Sequence, residues 1–199
     1  DGFEVEALQR RIGEKTLNVF VRQPLTQSDR ESRNLVEEVT SVMKSSIPAG
    51  LNPNLLTGET SHSKDSFKEH FSEEHGMPFT ATNFRRHRLD RLNQADAMVV
   101  IRTAMSESGA FEICYNIFAG RKAPVFFAIW KNAPIKTTLL RELDEICDVT
   151  YVEFETADDL RAPFEEFFEK VCSESPSFAD TRAGRAVTRP RAQKERVKQ

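Results

Sequence analysis

Ala97-Met98-Val99-Val100-Ile101, then Ser106-Glu107-Ser108-Gly109-Ala110-Phe111-Glu112-Ile113, then Ala123-Pro124-Val125-Phe126-Phe127-Ala128-Ile129 is the stretch that decides the fold. Its two outer runs are apolar without interruption, as a strand covered on both faces requires. Between them, about Glu107 to Ala119 has the length of a helix. Gly120-Arg121-Lys122 closes it with a glycine stop and two cations, which suit the negative helix end. Strand, helix, strand in this order is the crossover unit of a parallel sheet.

The same alternation extends outward. Leu17-Asn18-Val19-Phe20-Val21 reads as a buried strand ending at Arg22-Gln23-Pro24. Ser28-Asp29 caps a helix to about Met43, with Leu35, Val36, Val39 and Val42 on one face. A helix from about Thr82 to Gln94 precedes strand 97–101, and Thr137 to Cys147 predicts another. Val149–Phe154 reads as a strand and Ala157 to Val171 as a helix, with Phe164, Phe167 and Phe168 at core spacing. The expected fold is α/β, a three-layer Rossmann-like parallel sheet of about five strands with helices on both faces. Residues 1–16 read as an N-terminal extension, 17–172 as the α/β domain and 173–199 as a basic tail with no apolar period. Residues 46–79, rich in Ser, Asn, Pro, Gly and Thr, read as a long loop or insertion.

The chain has 199 residues and a formal charge of −3, from 28 Lys and Arg against 31 Asp and Glu. The near-neutral total conceals a split. From Glu174 onward Arg182, Arg185, Arg189, Arg191, Lys194, Arg196 and Lys198 outnumber Glu174, Asp180 and Glu195, so the tail is +4 and the body −7. An acidic body repels phosphates and is no general nucleic-acid binder. The tail, across 182–198, is the segment suited to a protein or RNA partner. No apolar run approaches the roughly 20 residues of a membrane span. Cys114, Cys147 and Cys172 are odd in number and form no CxxC, which argues against a disulfide framework or a four-thiolate zinc site. They point to a reducing intracellular compartment, cytoplasm or mitochondrial matrix. The first residue is Asp1 rather than Met, which fits a removed leader or a trimmed chain alike.

Parallel sheets place ligands beyond the C-terminal strand ends, which selects Arg22–Thr26 and Arg102–Gly109. Ser106, Ser108 and Gly109 at a helix start can hold an anion, or Ser106 or Ser108 can simply cap the helix. No glycine-rich dinucleotide or triphosphate motif occurs, and no cofactor is implied. Glu112 stands in a helix that is apolar almost all round. Either it is a buried, oriented carboxylate suited to attack an electrophilic carbon, or it shares a narrow solvent-facing strip with Asn116.

Together, Leu92 to Val100, Ser106 to Ile113 and Ala119 to Val125 resemble the nucleoside 2-deoxyribosyltransferase-like superfamily, closest to its nucleoside 5′-monophosphate N-glycosidase branch. Phe20 to Leu25 is similar to the family's first strand and turn. The resemblance implies N-glycosidic chemistry with Glu112 as nucleophile, Ser106 at the 5′-phosphate and Ser108, Gly109, Gln23 and Arg88 around the substrate. It also marks departures. The family's second acidic residue falls on Arg88, and Asp90 lies about 200° around the helix from it. The tyrosine that orients the nucleophile falls on Phe20, and the first-turn glycine falls on Gln23. Two roles follow as expectations: a nucleotide N-glycosidase, or a catalytically inactive structural or accessory subunit anchored by its tail. The oligomeric state is open, with a homo-oligomer among the options.

Other candidates read as structural. His62, His70 and His75 lack the i, i+4 spacing of a metal pair. Arg85, Arg86, His87, Arg88 and Arg91 form a basic cluster expected to make salt bridges or partner contacts. Trp130 is expected to pack.

Overall fold

The computed structural model describes residues 15–23, 30–57, 64–104, 106–175 and 178. Five strands, β1 (Lys15–Arg22), β2 (Leu51–Thr57), β3 (Ala97–Arg102), β4 (Val125–Trp130) and β5 (Val149–Phe154), form one sheet in the order β2-β1-β3-β4-β5. Every pairing is parallel. Five helices accompany it: α1 (Arg30–Ser45), α2 (Lys64–His75), α3 (Ala81–Gln94), α4 (Glu107–Phe118) and α5 (Arg161–Glu174).

Strand residues alternate between two cores. Leu17, Val19, Val21, Val99, Ile101, Phe126 and Ala128 pack with Val36, Val39 and Met43 of α1 and Phe164, Phe167 and Phe168 of α5. Phe20, Met98, Val100, Phe127 and Ile129 pack on the other face with Leu92 of α3 and Ile113 and Ile117 of α4. That two-sided burial is why β3 and β4 are apolar at successive positions. Trp130 packs against the first core, as expected.

Two expectations fail. Residues 46–79 are not a single loop: β2 forms one edge of the sheet and α2 follows it. Pro53 and the flanking asparagines disguise β2, yet an edge strand tolerates a missing donor. The predicted helix over 137–147 is instead two short 3₁₀ turns, Thr138–Leu140 and Leu143–Glu145, separated by Glu142 in the left-handed region at φ 54°. The Tyr151 hydroxyl donates to the Leu140 carbonyl at 2.9 Å and accepts from the Leu143 amide at 3.2 Å. It thereby takes up backbone groups a continuous helix would pair internally.

Boundaries also move. β1 begins at Lys15, inside the expected extension, and α5 ends at Glu174, inside the expected tail. The proposed Ser28-Asp29 cap, His62 and the cationic residues 182–198 lie outside the described residues. No helix among the described residues is long and apolar enough to cross a membrane.

Candidate functional site

The strand order reverses direction between β1 and β3, and a cleft opens beyond their C-terminal ends. Arg22, Gln23, Arg102, Ser106, Gly109 and Phe127 are among the residues lining it. Two strand-end segments singled out by position in the sequence thus meet in space.

Glu112 is buried, at 5 % exposure, and so is Asn116, at 1 %. The solvent-facing polar strip is therefore wrong; each residue has a partner within the fold. Asn116 donates from Nδ2 to the Ala123 carbonyl at 2.8 Å, and its Oδ1 accepts from the Ala123 amide at 3.0 Å. This pair ties α4 to the approach to β4. Arg88 Nε donates to Glu112 Oε1 at 2.8 Å, and Arg22 Nε faces Glu112 Oε2 at 3.5 Å. The second contact is an ion pair too long for a hydrogen bond, and those two buried atoms have no other partner among the described residues.

Each arginine has a local reason for its position. Arg22 ends β1 in register with Val100 of β3, and its Nη2 donates to Ser106 Oγ at 2.5 Å. Ser106 Oγ also accepts from the Gly109 amide at 3.2 Å, so it is the N-cap of α4. Gly109 makes room for this arrangement. A Cβ there would lie 3.3 Å from Arg22 Nε and 3.4 Å from the Ser106 side chain. Arg88 projects from α3 over the Phe20 ring, with Cζ 4.7 Å from its centroid. Burial pulls the Arg22 guanidinium below its ordinary pKa; Glu112 opposes that shift and Arg88 adds to it.

Of the sequence-predicted site residues, Ser106, Gly109 and Gln23 line the cleft, and buried Glu112 pairs with the partly buried Arg88. Ser108 is exposed on the first turn of α4 and is not among the cleft-lining residues. Arg22 and Arg102 begin the two strand-end segments that the sequence selects, but neither receives a role of its own there. Arg102 Nε donates to the Ala133 carbonyl at 3.0 Å, pinning the segment after β4. The signal for Arg22 was available: a cation at the C-terminal end of an otherwise apolar buried strand. Asp90 and Glu107 are exposed, so neither is a second buried carboxylate beside Glu112. Among the described residues no group of acidic, histidine and cysteine side chains is arranged to hold a metal ion.

The class defined by sheet order and cleft position is a doubly wound α/β domain with a cleft at the β1/β3 switch point. No protein-family model matches the chain, and no curated protein matches it in sequence. Solved structures similar to it include the CMP N-glycosidase BcmB of Clostridium botulinum, with 10% identity over 75% of this chain and 98% of that one, at a TM-score of 0.49. Another is a 2-deoxyribosyltransferase of Bacillus psychrosaccharolyticus, with 14% identity over 74% and 95%, at 0.44. A third is a conserved protein of Enterococcus faecalis, with 14% identity over 80% and 99%, at 0.40.

Proposed function

We propose that this chain is a nucleoside 2-deoxyribosyltransferase-like protein that has lost glycosidic turnover and serves as a structural subunit of a larger assembly. The observation that carries this reading is the clamp of Arg88 and Arg22 on Glu112. A carboxylate nucleophile needs a free oxygen aimed at the substrate, whereas Arg88 holds one Glu112 oxygen in a hydrogen bond and Arg22 faces the other. Retaining glycosidic chemistry also needs a second carboxyl group in a separate role. Arg88 stands where the resemblance expects that acid, and Phe20 beneath it has no hydroxyl to orient Glu112. The basic tail, 182–198, is the attachment to a protein or RNA partner.

A second reading is favoured by the clustering of Arg22, Ser106 and Gly109 at the cleft. A 5′-phosphate bound there would draw Arg22 from Glu112, leaving a nucleophile for hydrolysis of a nucleoside 5′-monophosphate. Incubation with ribo- and deoxynucleoside 5′-monophosphates, CMP first, separates the two. The subunit reading expects no free base by chromatography. Base release that disappears in Glu112→Gln overturns it in favour of the hydrolase. The subunit role also expects migration of the native protein well above dimer mass in a cell extract, and elution at or below that mass overturns it.

A further inference from the structure

α2 is held against the domain by one aromatic cage. Among its described side chains Phe71 alone is buried, at 3 % exposure. Four rings surround it, with centroids 4.8 Å away for His75, 5.5 Å for Phe79, 5.9 Å for Phe84 and 5.6 Å for His87. Two of those walls titrate. His75 of α2 and His87 of α3 lie face to face, with 3.9 Å between centroids and 30° between planes. The joint between the two helices is free to turn. Gly76 ends α2 in the left-handed region at φ 62°, with open space where a Cβ would point. α3 is capped without help from α2. The Thr80 hydroxyl accepts from the Asn83 amide at 3.1 Å, and Asn83 Nδ2 donates to the Pro78 carbonyl at 2.9 Å. α3 therefore keeps its start when α2 leaves.

We infer that α2 is an acid-released flap, latched at neutral pH by the stacked pair of His75 and His87 and swung out on Gly76 when the pair is protonated. Neutral imidazoles stack as two aromatic rings do, whereas two imidazolium ions at that separation repel. The charges around the pair favour release. From α3, Arg88 and Arg91 add positive charge beside His87. From α2, Glu74 opposes them, but its carboxylate lies 3.9 Å from His75 Nε2 and is largely exposed. Burial first, then His75, Arg91 and Arg88, hold His87 below its ordinary 6.5, so the latched form resists a proton that the released form accepts. The latch is complete above pH 6.5 and weakens as pH falls below it. Release bares Phe71, Phe79 and Phe84 and the part of α3 that precedes Arg88. The flap does not depend on whether Glu112 attacks a substrate.

Hydrogen exchange of the purified full chain tests this, with each rate divided by the intrinsic rate at the same pH. Protection across Phe71–His75 is expected to fall about 5- to 10-fold between pH 7.5 and 5.5. Low urea should leave that exchange unchanged, because swinging out one helix exposes little surface. The amides of β3 and β4 should respond to urea. His75→Phe with His87→Phe keeps both rings and should hold α2 protection constant over the same pH range. Phe71→Ala should abolish α2 protection at both pH values while β3 and β4 stay protected. Protection of α2 that is indifferent to pH, or equally pH-dependent in the double histidine variant, overturns the latch. Amides of α2 that exchange only together with β3 and β4, or a Phe71→Ala chain that loses protection throughout, overturn the flap.

Discussion

Arg88 and Glu112 form a part-buried, hydrogen-bonded ion pair across the α3–α4 interface, with Nε 2.8 Å from Oε1. The carboxylate also faces Arg22, so one negative charge serves two cations. The three are unequal in consequence. Glu112→Gln would leave two guanidinium groups close together with no counter-charge. Breaking a buried pair in this way costs about 3–5 kcal/mol. Arg88→Met would leave Glu112 paired with Arg22 and keep an apolar contact with Phe20, at a cost of about 2 kcal/mol. Urea denaturation should rank Glu112→Gln as the more damaging, and the double variant should be less unstable than the sum of the two. The reverse ranking would mean that the carboxylate is not the centre of the cluster.

Asn116 is the second buried polar anchor of α4, and its two bonds to the Ala123 backbone leave no unpaired amide at the turn into β4. Asn116→Ala removes both and strands a buried donor and acceptor. The expected loss is about 2–3 kcal/mol in a denaturation curve. Hydrogen exchange should report faster exchange at the Ala123 amide. A variant as stable as the wild type would show that water replaces the side chain there.

How much of this could be read from sequence depends on where each partner comes from. β3 and β4 were legible because burial on both faces writes itself as unbroken apolar runs, in Met98–Ile101 and Val125–Ile129. Phe164, Phe167 and Phe168 were legible because one helix face repeats every three to four residues, and all three are buried. β2 was not, because an edge strand with Pro53 and polar neighbours has no such pattern. The broken helix over 137–147 was hidden because the group that interrupts it, the Tyr151 hydroxyl, arrives from β5. Glu112 was noticed for its apolar setting, but its neutralisation could not be. Arg88 and Arg22 come from other elements, and only the folded chain brings a helix surface and a strand end to the same carboxylate.

Phe164 lies at the centre of the aromatic core beneath α5. Its ring stacks on Phe126 of β4 at 4.4 Å between centroids and on Phe168 at 6.0 Å, and it is fully buried. Phe164→Ala should cost about 3–5 kcal/mol, since the aromatic neighbours hold the cavity open. Phe164→Leu should cost less, because it refills most of the volume. Thermal melts of both variants test the order, and equal losses would indicate that specific ring stacking outweighs volume.

His75 and His87 stack at 3.9 Å between ring centroids where α2 meets α3, and Phe71 meets both rings edge-on. The His87 imidazole is held below its ordinary value of 6.5, first by burial and then by His75, Arg91 and Arg88, against a weaker opposing pull from Glu74. The sign of the pH effect follows. As pH falls through 6.5 the unfolded chain takes up a proton that the folded chain resists, so stability drops as the solution becomes acidic. The drop continues until pH passes the lower folded value and then levels. His87→Phe keeps an aromatic ring in the cluster and removes the proton site. Its stability should therefore change less than that of the wild type between pH 7.5 and 5.5, read as urea midpoints at several pH values between those limits. Identical slopes for variant and wild type would show that acid sensitivity in this range arises elsewhere than at the stacked pair.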